Sequence, residues 1–356
     1  MFDRFTCGNA SVISRFVRCA RNAGKNGAPP CEKEGIPAMK PILIPRTDLL
    51  LSPVGFGTAQ AGRAYDGKDA DRLFDAYVAG GGNLLDTAHV YSDWVAGERS
   101  RSERAIGDWI RRRGGHRDVV LMTKGGHPLP GQDMHTGRLF RHDMTADLNG
   151  SLQKLGVDCV DIYLYHRDDR TLPVEELVET MEDFVRQGKI RYYGCSNWKT
   201  DRMAAAETYC RAHGYRGFVV NQALYNIGTA AALPPADDTL VVCDGAMLAY
   251  HRHSDTLLMP YSSVANGYFH RLSANGKADG MYNTAENRAL AARLFAFAAA
   301  RGISLTAALL GFFAAADMPM LPLASSVKAE HLGEITEAMA LDFSAADYAF
   351  ANDHHK

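Results

Sequence analysis

NLLDTAHVY, residues 83–91, is the stretch whose reading decides the fold. Asn83 to Leu85 read as a short buried strand, Asp86 ends it, and the loop that follows carries Tyr91. A carboxylate at the C-terminal end of a buried strand and a phenol a few residues later do not help to pack a core. Left without polar partners there, they would be costly to bury. The sequence on either side must therefore bring other polar groups to the same end of a sheet.

Working outward, strands and helices alternate on both sides of this stretch. ILIP and LLLSP, joined at RTD, read as a β-hairpin between residues 42 and 53. The first three strand–helix units are VGFGTA with DADRLFDAYVAGG, NLLDTA with RSERAIGDWIRRRGG, and VVLMTK with TADLNGSLQKLG. VDIYLYH then leads to PVEELVETMEDFVRQGK, with Pro173 at the helix start, and RYYGCSN leads to DRMAAAETYCRAHG. GFVVNQ precedes a helical stretch within 238–252, TLLMPYSS precedes a helical pair over 286–317, and MLPLASS precedes KAEHLGEITEAM. Continuous apolar strands alternating with amphipathic helices imply a parallel sheet covered on its faces, and eight units imply a closed (β/α)8 barrel capped by the hairpin. A doubly wound sheet would carry a GxGxxG turn after its first strand, and GFGTAQAG lacks that spacing.

A barrel places its functional groups at the C-terminal ends of its strands. Those ends read Asp86, Lys124, His166, Ser196 with Asn197, Gln222, Tyr261 with Ser262, and Ser325 with Ser326. A pure packing pattern would not end nearly every strand in a polar or ionisable group. A phenol has a pKa of about 10, and a neighbouring ammonium lowers it. Lys124 can play that part for Tyr91, Asp86 can keep Lys124 charged, and His166 can donate a hydrogen bond to a substrate oxygen. The group suits proton donation to a carbonyl oxygen that gains negative charge. None of the four is a hydride source, so reduction would need a bound cofactor.

These residues resemble the aldo-keto reductases over about residues 40 to 350. DTAHVY, LMTKGG, YLYHRDD, VRQGKIRYYGCSN, VVNQALYN, PYSS and SSVKAEHLGEI carry the resemblance, and HRDD with KGGHP looks like a bacterial branch associated with sugar or aryl-aldehyde substrates. The resemblance implies Tyr91 as general acid, Lys124 as the group that lowers its pKa, Asp86 as the holder of the lysine and His166 as the group that orients the carbonyl. It implies Ser196, Asn197 and Gln222 on a nicotinamide carboxamide, and Tyr261 stacked on the ring. Ser262, Val264, Ser325, Ser326 and Lys328 would line the pyrophosphate and adenosine end. Lys328 or His331 would meet a 2′-phosphate. Ile335 stands where the family often has asparagine, and His331 where it often has arginine. NADP(H) is the favoured cofactor and NAD(H) the alternative.

The 356 residues suffice for one large α/β domain or two medium ones. Hydrophobic residues make up 46% and charged residues 22%, an ordinary globular balance. A net charge of −2 gives no electrostatic footprint for nucleic acid or an anionic membrane surface. No apolar run approaches the roughly 18 residues of a membrane span. The seven cysteines form no CxxC pair and their number is odd, which points to a reducing, cytoplasmic setting, with Cys195 a small buried strand residue. Residues 1–38 differ from the rest: five basic residues are followed by GAPPCEKEG with little periodicity. They read as a poorly ordered extension, either a basic targeting leader or an over-long start. The position of Met39 before the first patterned segment favours the second, leaving 39–356 as the barrel domain.

Each site residue taken alone has a plainer reading: Asp86 as a turn cap, Tyr91 as a pocket wall, Lys124 as a surface charge, His166 as a core histidine, Ser325 and Ser326 as helix caps. Their convergence at strand ends outweighs those readings. The long loop GGHPLPGQDMHTGRLFRHD after Lys124 is expected to cover the substrate mouth, with Trp94 opposite, and Arg138 or Arg141 facing a hydroxyl-rich or anionic substrate. His127, His135 and His142 match no zinc spacing and read as loop residues, so no metal site is assigned. His251 and His253 read as solvated. The expected function is NAD(P)H-dependent reduction of an aldehyde or ketone, sugar-like or aryl, by a monomer or small homo-oligomer whose partner is a small carbonyl compound. Two rivals are a Schiff-base lyase or isomerase using Lys124 and a slow NADP(H)-sensing module.

Overall fold

A computed structural model describes residues 40–354, so the expectations for residues 1–38 lie outside the described residues. Strands β1 (Ile42–Leu43) and β2 (Leu50–Leu51) pair antiparallel as the expected hairpin. Strands β3 (Gly55–Gly57), β4 (Leu84–Asp86), β5 (Val120–Gly125), β6 (Val160–Tyr165), β7 (Ile190–Ser196), β8 (Phe218–Leu224), β9 (Leu257–Tyr261) and β10 (Leu323–Ala324) form one eight-stranded parallel sheet in the order β10-β3-β4-β5-β6-β7-β8-β9. A parallel bridge between Leu258 and Met320 joins β9 to the approach to β10, and Ser263 Oγ donates to Leu323 O at 2.7 Å. These contacts bring the two sheet edges together, and the architecture is a (β/α)8 barrel.

The helices that cover it are α1 (Gly67–Ala79), α2 (Arg101–Arg113), α3 (Arg141–Leu155), α4 (Val174–Arg186), α5 (Thr200–His213), α6 (Gly245–His253), α7 (Tyr268–Asn275), α8 (Ala285–Arg301), α9 (Leu305–Ala314) and α10 (Glu330–Ala340). Local chemistry sets their ends. Asp244, Thr284 and Ser304 accept backbone N–H bonds as N-caps of α6, α8 and α9. Gly114 and Gly156 end α2 and α3 in the left-handed region that a side chain would resist. Among the described residues no single helix is long and apolar enough to cross a membrane.

The strand period of two sorts side chains into two layers. Leu84, Met122, Ile162, Leu164, Val220 and Met259 form one buried cluster with Ile44, Leu49 and Leu51 of the hairpin, which plugs the N-terminal end of the barrel. Their neighbours Leu85, Leu121, Tyr163, Tyr165 and Leu258 pack outward with the helices. Arg46 fixes the plug, donating to Arg216 O at 2.6 Å and Phe218 O at 2.8 Å. The opposite end is left for polar groups.

Three features depart from the sequence reading. Helix α7 lies in ANGYFHRLSANG, where glycine and asparagine at both ends hide a short helix whose Tyr268 and Phe269 are fully buried. Helix α3 starts at Arg141, so His142 belongs to its first turn and not to the loop. His251 is buried and not solvated: its Nδ1 lies 2.8 Å from Thr256 O and its Nε2 3.1 Å from Asn221 Nδ2. Burial holds this imidazole down to a pKa of about 4, against the Thr256 hydrogen bond, so it is neutral. His253 is exposed, and Cys195 is fully buried in β7 as expected.

Candidate active site

The strand ends converge as the barrel requires. Asp86 is the last residue of β4, Lys124 the second-last of β5, and His166 follows β6 directly. Ser196 ends β7, Gln222 lies near the end of β8, and Tyr261 ends β9. The loop after Asp86 is sewn to β5, since Thr87 N donates to Met122 O at 2.8 Å and His89 N to Lys124 O at 3.0 Å. A turn closed by Tyr91 N donating to Ala88 O at 3.0 Å then lays the phenol over Lys124.

Lys124 is 1% exposed, and its ammonium has three acceptors. Nζ donates to Asp86 Oδ1 at 2.7 Å, to Thr87 O at 2.8 Å and to Tyr91 Oη at 3.0 Å. Burial disfavours the ammonium, but Asp86 and Tyr91 outweigh it and the lysine pKa is raised. Gln222 Nε2 donates to Asp86 Oδ1 at 2.9 Å, so this amide also steadies the carboxylate. For Tyr91 the sequence reading expected a lowered pKa. The structure gives the opposite net direction: burial raises it most, Asp86 adds to the rise, and Lys124 is the largest force against it. The phenol is therefore protonated at neutral pH, beside the cation that would stabilise its anion.

His166 lines the cleft, 5.5 Å from the Tyr91 ring between centroids. Its Nδ1 is buried without a hydrogen-bond partner. Burial, then His127, Arg167 and Lys124, hold its pKa well below the usual histidine value, so it is a neutral imidazole. His127 and Arg167 are neighbours that the sequence reading left out of the site. The His127 ring stands 4.8 Å from that of His166, and burial takes its pKa down to about 4. Arg167 lines the cleft and donates to Thr239 Oγ1 at 2.9 Å and His166 O at 3.0 Å, with Asp237 at 3.3 Å. Their signal in the sequence was adjacency, HRDD directly after β6 and GGHP directly after Lys124.

From this pocket a cleft of about 800 Å³ runs towards α10. Asp86, Tyr91, His166, Ser196, Asn197, Gln222, Tyr261, Ser262, Val264, Ser325, Ser326 and His331 line it, and Lys124 lies buried beneath its wall. Tyr261 Oη donates to Asn197 Oδ1 at 2.7 Å, and Asn197 Nδ2 donates to Ser196 Oγ at 3.0 Å. Asn197, Ser262, Ala265 and Asn266 all have positive φ, a conformation held here only because the surrounding contacts fix it. Lys328 does not line the cleft; it faces a neighbouring groove with Asp69 and Arg72. His270, Arg271 and Thr306 line the far end and were missed, because the helix carrying the first two was not legible.

The loop over 126–140 reaches the mouth, and His135 Nε2 lies 3.0 Å from Asp238 Oδ1 of the segment after β8. Neither expected arginine lines the cleft. Arg138 binds Asp147 at 2.9 Å and His127 O at 2.8 Å, pinning the loop, and Arg141 pairs with Asp183. Trp94 is exposed and does not line the cleft.

Comparison with known proteins gives this geometry a family. The chain is 28% identical over 333 residues to the aldo-keto reductase ausK of Emericella nidulans, covering 87% of this chain and 79% of that protein. It is 32% identical over 214 residues to norsolorinic acid reductase B of Aspergillus parasiticus, covering 56% of this chain and 53% of that protein. It is 29% identical over 202 residues to the NADP(+) aryl-alcohol dehydrogenase of Phanerodontia chrysosporium, covering 52% of this chain and 51% of that protein. The sequence model of the Aldo/keto reductase family matches residues 53–355. A barrel whose strand ends carry these groups, matched over that length, is an oxidoreductase, and the chain belongs to the aldo/keto reductase family.

Proposed function

We propose that the protein reduces an aryl aldehyde or ketone to the alcohol with NADPH, using Tyr91 as the proton donor. The observation that carries this reading is the ammonium of Lys124, 2.7 Å from Asp86 and 3.0 Å from the Tyr91 hydroxyl at the cleft wall. The residues present fit a dinucleotide. The cleft is of the right size for one, an aromatic ring and a polar pair (Tyr261, Ser196 and Asn197) stand at its deep end, and hydroxyls of Ser262, Ser325 and Ser326 line its length. When bound, the reduced nicotinamide supplies the two electrons and the hydrogen that reach the carbonyl carbon.

The chain's own groups do the rest. Neutral His166 donates a hydrogen bond that fixes the carbonyl oxygen beside Tyr91. Tyr91 releases its proton to that oxygen as negative charge develops there, and Lys124, kept cationic by Asp86, stabilises the phenolate left behind. Burial of the whole group strengthens each of these charge interactions. The relatives named for aryl-alcohol and norsolorinic acid chemistry favour the aryl half of the sequence expectation over the sugar half, and the NADP(+) relative favours NADPH. The bacterial-branch placement gains nothing from these fungal relatives.

A Schiff-base role for Lys124 fits less well. A nucleophilic lysine needs a lowered pKa and a free lone pair, whereas this one is raised and occupied by three acceptors. Tyr91→Phe tests the reading. Carbonyl-dependent loss of NADPH absorbance should disappear while the cofactor dissociation constant, measured by calorimetry, stays nearly unchanged. Retention of most of the turnover would remove Tyr91 from the role, and tight cofactor binding without turnover in the unaltered protein would leave a sensing module.

A further inference from the structure

We infer that Arg271 is the residue that selects for a 2′-phosphate on the adenosine ribose, an inference that rests on the NADPH reading above. The sequence resemblance assigned that part to Lys328 or His331. Lys328 faces outside the cleft, and His331 lines it at an exposed position but offers an imidazole and not a guanidinium fork or an ammonium. Among the described residues lining the cleft, only Arg167 and Arg271 carry a fixed positive charge. Arg167 belongs to the mouth, where it lies against His166, Thr239 and Asp237.

Arg271 belongs to the other end. It sits in the first turn of α7, with His270 beside it in sequence, and both His331 and Arg271 act electrostatically on His270. Arg271 thus lines the same end of the cleft as His270 of α7 and His331 of α10. One of its nitrogens donates to Asn266 O at 2.8 Å, which folds the side chain back over the turn at 262–267. Gly267 makes room for it, since a Cβ there would stand 3.2 Å from Arg271 Nη1. Among the described residues no carboxylate pairs with Arg271. The nearby acid, Glu334, accepts from Thr306 instead. The result is a fixed cation with one nitrogen anchored and the rest of its fork uncommitted. A phosphate monoester, which carries up to two charges near neutral pH, is the ligand group that matches it.

The test is calorimetric titration of the full chain with NADPH and with NADH, without carbonyl substrate, for the unaltered protein and for Arg271→Gln, Arg271→Lys and Arg271→Glu. The residue is exposed, so folding is not at stake, and circular dichroism checks it. NADPH affinity should fall roughly ten- to hundred-fold in Arg271→Gln, the usual scale for losing a charged hydrogen bond. NADH affinity should change little, Arg271→Lys should keep part of the preference, and Arg271→Glu should turn it towards NADH. An equal loss for both cofactors would put Arg271 on the pyrophosphate and overturn the inference, as would an unchanged ratio. If the unaltered protein itself shows no preference for NADPH, the cofactor reading fails first and the inference falls with it.

Discussion

Lys124→Met is the most telling single substitution, because it removes one charge from the centre of the buried network and little volume. The ammonium stands 3.0 Å from the Tyr91 hydroxyl, where a full ammonium–phenolate pair at an effective dielectric near 20 is worth about 5 kcal/mol. Only part of that charge has formed when the proton is half transferred, so turnover should fall roughly a hundred- to ten-thousand-fold. A second effect follows from Asp86. It is 3% exposed and would keep only Gln222 as a side-chain donor. An uncompensated buried carboxylate costs about 3 kcal/mol. Thermal unfolding should therefore shift down. The assay is steady-state carbonyl reduction at saturating cofactor, with calorimetric cofactor binding and thermal melting run beside it. A folded variant that binds cofactor normally and keeps most of its turnover would show that the ammonium does not support Tyr91, and the argument from that distance would be wrong.

The remaining predictions concern stability. His251 has a folded pKa of about 4 against about 6.5 in an unfolded chain, so between those values the unfolded state binds the extra proton. Stability should fall as pH drops through that window, by about 3 kcal/mol from this group at most, and His251→Gln should flatten the pH slope by about one proton. The neutral His127 and His166 act with the same sign and remain in that variant, so an unchanged slope would assign the effect to them alone. Gly107→Ala should lower the melting temperature by several degrees, because a Cβ there would stand 2.1 Å from Lys154 O, and two packed helix backbones cannot yield as a side chain does. Unchanged melting would show that α2 and α3 separate at no cost.

The barrel was legible because its signal is periodic and local. Leu84 and Leu85 are both apolar since one faces the hairpin plug and the other the helices, and that double burial marks a parallel strand in any reading of the chain. Asp86, Lys124 and His166 were legible as site residues because a barrel's strand ends all open on one mouth, so position along the strand predicts convergence. The short α7 was not legible, and His270 and Arg271 were lost with it, because eight residues between glycines carry too little pattern to separate a helix from a loop.

What the sequence determined by itself was therefore the alternation of elements and the order of polar strand ends, both of which depend on neighbours a few residues apart. What only the tertiary structure decided were pairings across the chain: Arg138 on Asp147 and not in the cleft wall, Lys328 outside the cleft, His251 against Asn221, and the upward direction of the Tyr91 pKa. The physical reason is that burial and charge act through space. A side chain's partner, and the water it loses, are fixed by what the fold brings beside it and not by its place in the chain.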